Sequence, residues 1–210
     1  MSYFSIRSVR GACTALLTAL ALGGCGGLQL KPLPMAVYDL GVMADRPLPV
    51  ALAPMRVQVV APPWLSASTM QYRLAWQDPD RRRAYAESRW VSAPAEMLGL
   101  ALSRGLSAGS GGLRCRLRVD LDEFVQVFDS TALARVQLIA RVGLLPARGE
   151  APIARTELNI IEGAPSADAS GGVSAYRVAT GRLVDEVSHW LVALDESLAP
   201  GLNSQGRCGA

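Results

Sequence analysis

The sequence predicts an α+β domain, with a mostly antiparallel sheet and two amphipathic helices packed on its apolar face. Two patterns carry the expectation. Apolar residues alternate with charged or polar ones over 113–121, 132–142 and 154–160, the period of strands with one wet face. Two other stretches, starting near 94 and 173, repeat apolar residues at helical spacing.

The elements follow in order. Residues 26–34 contain Gly and Pro without periodicity and read as a tether. Val37, Tyr38, Asp39 and Leu40 read as a first strand or its entry. Residues 45–54 hold three prolines and read as loop. Residues 55–60 are β-rich, and Pro62 and Pro63 stop them. Met70, Tyr72, Leu74 and Trp76 alternate with Gln71, Arg73 and Ala75, the strand period. Asp78, Pro79 and Asp80 read as a turn, because Asp caps local amides and Pro fixes φ. Residues 83–90 return as the second arm of a hairpin. Pro94 and Glu96 suit the first turn of a helix. Its apolar face is Met97, Leu98, Ala101, Leu102 and Leu106, and Gly109, Gly111 and Gly112 end it. The three alternating runs form an antiparallel meander. Its first strand falters at Glu123 and Phe124, where a bulge fits, and Asp129 with Ser130 turns the chain. Residues 162–172 read as a small-residue loop. A second helix runs to about 194, with Tyr176, Leu183, Val187, Trp190, Leu191 and Leu194 on one face and Arg182, Asp185, Glu186 and His189 off it.

The N-terminus has a separate logic. Arg7 and Arg10 precede an uncharged apolar run over 12–22, and Leu22, Gly23, Gly24 and Cys25 follow. A basic start, a short apolar run and small residues form the three-part pattern of a secretory signal. The run is shorter than the roughly 20 residues that cross a bilayer as a helix. The ending resembles a bacterial lipobox, in which the cysteine is acylated (palmitate is a usual chain) and becomes the first mature residue. Gly26 favours outer-membrane sorting by the same resemblance. The expected division is signal peptide 1–24, lipidated tether 25–36, one α+β domain 37–199 and a flexible tail 200–210.

Composition narrows the function. Half the residues are hydrophobic, enough for a real core, and the formal charge is +3. Loss of the signal takes Arg7 and Arg10 with it, so the mature charge is near +1, too little for a nucleic-acid binder. Of four cysteines, Cys13 lies in the signal and Cys25 carries the lipid. Cys115 and Cys208 remain in a compartment that permits disulfides. A bridge between them, or a buried Cys115 with a free Cys208 in the tail, are both open. Neither sits in a CxxC pair, so no metal is expected. His189 is the only histidine and falls on a polar helix face. Ser/His/Asp catalysis would rest wholly on His189, and there is no phosphate-cradling glycine loop. Asp120 and Asp122 share a strand face with Arg114, Arg116 and Arg118, which reads as a solvated ion-paired surface. No catalytic residues and no cofactor beyond the covalent lipid on Cys25 are expected.

Trp64, Tyr72, Trp76, Tyr85 and Trp90 fall within 27 residues in a chain of twelve Phe, Trp and Tyr. They read either as hairpin and helix core or as a partner-binding surface, since Trp and Tyr dominate binding hot spots.

The lipobox, Tyr38-Asp39-Leu40, Met55-Arg56-Val57 to Pro62, Met70-Gln71-Tyr72-Arg73, Arg89-Trp90, Pro94 to Met97-Leu98, and Leu121-Asp122-Glu123-Phe124 to Phe128-Asp129 occur in this order. Together they resemble the ABC-type transport auxiliary lipoproteins, including the PqiC-like proteins. Where that family has an aromatic pair at the first strand, this chain has Val37-Tyr38. The resemblance covers nearly the whole mature chain. It implies a non-enzymatic, outer-membrane-anchored, periplasm-facing lipoprotein beside an ABC permease and an MCE-domain protein that moves lipid between the membranes. The partners implied are the MCE-domain protein, the permease system and the outer membrane, with self-association open. The alternative is an envelope-assembly or cell-wall-synthase scaffolding lipoprotein with no role in lipid transport.

Mass spectrometry of the mature N-terminus is expected to show an acylated, diacylglycerol-modified Cys25. A Cys25→Ala protein should leave the membrane fraction; its persistence there would refute anchoring.

Overall fold

In the computed structural model, the described residues are 34–42, 48–106, 112–204 and 207–208. The expected signal peptide and Cys25, with most of the tether, lie outside them. Residues 35–210 group as one unit, which is described below.

It contains β1 (Ala36–Tyr38), β2 (Pro54–Val60), β3 (Thr69–Leu74), β4 (Asp78–Trp90), α1 (Pro94–Gly105), β5 (Leu113–Phe128), β6 (Ala134–Leu145), β7 (Ala154–Gly163) and α2 (Ala169–Ser197). Short 3-10 turns occupy Val50–Leu52 and Pro63–Leu65. One seven-stranded sheet has the order β1-β4-β3-β5-β6-β7, and β2 also pairs with β5.

The α+β expectation is met, with a correction: the sheet is mixed. β3–β4, β5–β6 and β6–β7 are antiparallel, while β1–β4, β2–β5 and β3–β5 are parallel. Period-two patterning specifies which face is buried and says nothing about strand direction. β2 pairs with the first half of β5, from Leu113 to Asp120, and β3 with its end, Gln126 to Phe128. Pro62 and Pro63 interrupt the chain between them, because proline cannot donate to a ladder.

Along β5, Leu113, Cys115, Leu117, Val119 and Leu121 are buried, as are Ala134, Val136, Leu138, Ala140, Val142 and Leu144 on β6. These residues form the inner face, covered by the helices. The register slips between Leu121 and Glu123, so Asp122 is an extra residue. Beyond it the inward positions become Phe124, Gln126 and Phe128. The slip places Phe124 against Tyr176 of α2, stacked at 4.1 Å, and Trp90 packs on both rings at 5.7 and 5.3 Å.

α1 starts with Pro94 in its first turn, and the Ser92 hydroxyl donates to the Glu96 carboxylate. Met97, Leu98, Ala101 and Leu102 are buried. α2 begins at Ala169, within the stretch expected to be loop. Asp168 is its N-cap and accepts from the Gly171 N–H at 2.7 Å. That bond, with the Ser170 hydroxyl, holds the Asp168 carboxyl below the usual range. Gly171 and Gly172 look like loop residues in sequence, yet close packing demands them. A Cβ at Gly171 would lie 2.1 Å from the Ser166 carbonyl, and one at Gly172 would lie 2.1 Å from Gln126 Oε1.

Two further corrections concern turns and tail. The hairpin turn is residues 75–77, with Trp76 in it, and Asp78-Pro79-Asp80 already belongs to β4. Leu74 pairs directly with Asp78, so sheet pairing overrides the local turn chemistry. The segment after α2 is also no free tail. Leu202 and Cys208 are buried, the Arg114 N–H donates to the Cys208 carbonyl at 2.9 Å, and the Leu202 N–H donates to Asp195 Oδ1 at 2.6 Å.

Cys115 and Cys208 form a disulfide with Cα atoms 4.9 Å apart. Cys115 does point into the core, and the C-terminal segment comes in to meet it. The bridge closes a loop of 93 residues, for which chain entropy allows a stabilisation of about 4 kcal/mol. Replacing both cysteines with alanine should lower stability toward urea by up to that amount under oxidising conditions. Equal stability of wild type with and without reductant would show that the bridge contributes nothing.

Candidate docking surface

The five clustered aromatic residues go to three different places. Trp90 is fully buried between β4, β5 and α2. Tyr72 and Tyr85 are half-buried on the inner face, with ring centroids 4.7 Å apart, and Phe128 meets Tyr72 edge-on at 5.6 Å. The Tyr85 hydroxyl donates to Gln126 Oε1 at 2.9 Å, and Gln126 Nε2 donates to the Asp168 carbonyl at 2.9 Å. Burial, with smaller contributions from Tyr72 and Asp168, pushes the Tyr85 phenol above its ordinary value. Tyr85 is thus a strut between the hairpin and the start of α2. Trp64 and Trp76 are the two that reach solvent, 56% and 52% exposed.

The two exposed tryptophans flank β3. Trp64 sits on the Pro63–Leu65 turn that precedes it, and Trp76 in the turn that follows. A fully desolvated Trp or Tyr is the usual centre of a binding hot spot. An exposed indole loses apolar contact with nothing in return unless a partner covers it.

A polar cluster underlies this region on the outer face of the sheet. Glu123 accepts from Arg73 at 2.8 Å and from Arg82 at 2.6 and 2.7 Å, and one of its oxygens also takes the Phe124 N–H. Arg82 reaches Gln71 Oε1 at 2.9 Å, and Gln71 Nε2 donates to the Trp64 carbonyl at 2.6 Å. A continuous chain of bonds therefore runs from β5 through β4 and β3 to the Trp64 turn. Sequence reading did not single out Arg73, Arg82 or Glu123. The available signals were the break in alternation at Glu123 and the run Arg81-Arg82-Arg83.

Apart from the exposed Arg114, the arginines on the outer face of β5 and β6 are paired. Arg118 pairs with Asp120, Arg141 with Asp122, Arg116 with Glu150 and Arg135 with Asp129, at 2.7 to 3.0 Å. The Arg141 guanidinium holds the Asp122 carboxyl below the usual range. A cleft of about 440 Å³ opens on this face, lined by Arg118, Arg141 and Arg155 and by Asp120, Glu150 and Glu157. Three guanidinium groups against three carboxylates give it no net charge. His189 is exposed on α2. Among the described residues, no three His, Cys, Asp or Glu side chains gather as a metal site, and no helix is long and apolar enough to cross a membrane.

No family model and no curated protein matches the chain. Solved structures do match. A Xanthomonas campestris protein of family DUF330 superposes with a TM-score of 0.63 at 14% identity, over 77% of this chain and 98% of that one. A second, uncharacterised protein gives 0.54 at 13% identity, over 75% and 99%. At these identities the likeness is one of fold.

Glu123 is the shared acceptor of two arginines, so its removal leaves both without their carboxylate. Because Arg73 and Arg82 keep partial contact with solvent, Glu123→Ala should cost about 2–3 kcal/mol, toward the low end for a broken buried pair. Urea denaturation reads this directly. An unchanged midpoint would show that water replaces the carboxylate without loss.

Proposed function

We propose that the chain is an outer-membrane-anchored, periplasmic accessory lipoprotein of an ABC/MCE-type lipid-transport system, and that its domain docks the periplasmic MCE-domain component. It acts by binding, with no catalytic step of its own. The observation that carries this reading is the fold shared with a DUF330 protein over 98% of that protein's length, the PqiC-like family being DUF330. The ordered motifs from the Leu22-Gly23-Gly24-Cys25 lipobox to Phe128-Asp129 support the same reading. In it, the covalent lipid on Cys25 holds the domain at the membrane, and several acyl chains together give stable attachment.

Trp64 and Trp76 are the docking residues in this account. They are exposed indoles on turns at the two ends of β3, and the Trp64 turn is held by the Gln71–Arg82–Glu123 bonds. A rigidly mounted ring loses less entropy on binding than a mobile one. Tyr72 and Tyr85 support the hairpin from its inner face, and Trp90 belongs to the core.

The test is a pull-down of the lipoprotein with the periplasmic MCE-domain proteins of the same cell, repeated with Trp64→Ala and Trp76→Ala. A hot-spot ring should weaken binding by about 2 kcal/mol, roughly 30-fold. Absence of binding by the wild-type protein would remove the transport reading and favour the envelope scaffold.

A further inference from the structure

The outer face of the sheet ends, at β1, in apolar side chains with no cover. Met35 and Val37 are about half exposed, Val91 is 61% exposed, and Val42 follows β1 at 82%. Register places most of them together. Val37 pairs with Arg89 and Tyr38 with Trp90, and the Val91 N–H donates to the Tyr38 carbonyl at 2.8 Å. Trp90 and Tyr38 turn toward the core. Alternation then puts Met35 and Val37 on the opposite side, alongside Arg89 and Val91. β1 is an edge strand, so nothing further in the sheet flanks the patch on that side. Arg89, opposite Val37, and Asp39, just after β1, are both exposed, so the charge close to the patch is balanced.

The chain itself indicates what meets this patch. Met35 stands ten residues after Cys25. Ten residues of fully extended chain span at most about 36 Å. A cysteine held at a membrane by acyl chains therefore keeps the β1 edge within that distance of the lipid surface. β4 lies parallel to β1, and its far end leads back to the Trp76 turn; β3, which pairs with it from Thr69 opposite Arg89 to Leu74 opposite Asp78, is six residues and about 20 Å of strand.

We infer that the Met35–Val37–Val91 patch rests in the interfacial layer of the bilayer that anchors Cys25. The occupant is a phospholipid surface, gripped by apolar contact. The consequence is orientation: β1 lies at the membrane and the Trp76 turn stands away from it. This rests on the anchoring proposed above.

The experiment uses the full lipoprotein, purified from membranes and reconstituted in vesicles of phosphatidylethanolamine and phosphatidylglycerol. Val37→Cys and Val91→Cys are labelled separately with an environment-sensitive NBD group. Leu133→Cys, in the exposed β5–β6 turn, is the control. Cys115 and Cys208 stay bridged and unreactive. Both patch positions should show blue-shifted emission that doxyl-labelled lipid quenches at least twofold, with little change as the phosphatidylglycerol fraction varies. Position 133 should report water. Vesicle flotation and the N-terminal mass are read on the same samples. Acylated protein that floats while positions 37 and 91 report water would overturn the inference and leave anchoring standing. Unacylated protein that fails to float would overturn both.

Discussion

The rest of the sheet depends on the one-residue slip at Asp122 in β5. Before it, the odd-numbered residues from Leu113 to Leu121 face inward; after it, Phe124, Gln126 and Phe128 do. A strand without the slip would carry Phe124 to the outer face and Glu123 into the core, since side chains alternate strictly. With it, Phe124 stacks on Tyr176 and meets Trp90 at a tilt, while Glu123 meets Arg73 and Arg82. The two halves of β5 also have different neighbours on one side, β2 and then β3. The aromatic contact that fastens α2 to the sheet and the ion pairs that fasten the hairpin to β5 thus share one cause.

Electrostatics elsewhere is dispersed. The pairs on the outer face are partly exposed, and each such pair contributes about 0–1 kcal/mol. Their effect is mainly to cancel the arginines that make this face look basic in sequence. A cancelled face has little attraction for an anionic partner or an anionic lipid. Apolar exposed groups then become the distinctive surface features: the two indoles flanking β3 and the β1 edge.

Much of this was legible in sequence. The inner face of the meander followed from alternation, the bulge from its failure at Glu123, and both helices from their apolar spacing. The parallel pairings were not legible, because alternation is the same in either direction. The start of α2 was hidden by Gly171 and Gly172, whose presence reflects contact with Ser166 and with Gln126, distant in sequence. The turn at Trp76 was hidden by Asp78-Pro79-Asp80, a stronger local signal that the Leu74–Asp78 pairing overrides. The dispersal of the aromatic cluster into core, strut and surface depends on where β4 and α2 meet, which no local pattern encodes. The C-terminal segment looked loose for the same reason. Its order comes from Cys115, 93 residues away.

In the proposed reading, a membrane-tethered domain presents the Trp76 turn to a periplasmic lipid-transport protein. Photo-crosslinking in intact cells, with benzoylphenylalanine at position 76 and, for comparison, at the exposed Leu100 of α1, tests it most directly. The expected result is a crosslink from position 76 to an MCE-domain protein and none from position 100. Crosslinks from position 76 only to cell-wall synthesis proteins, or equal capture from both positions, would contradict it.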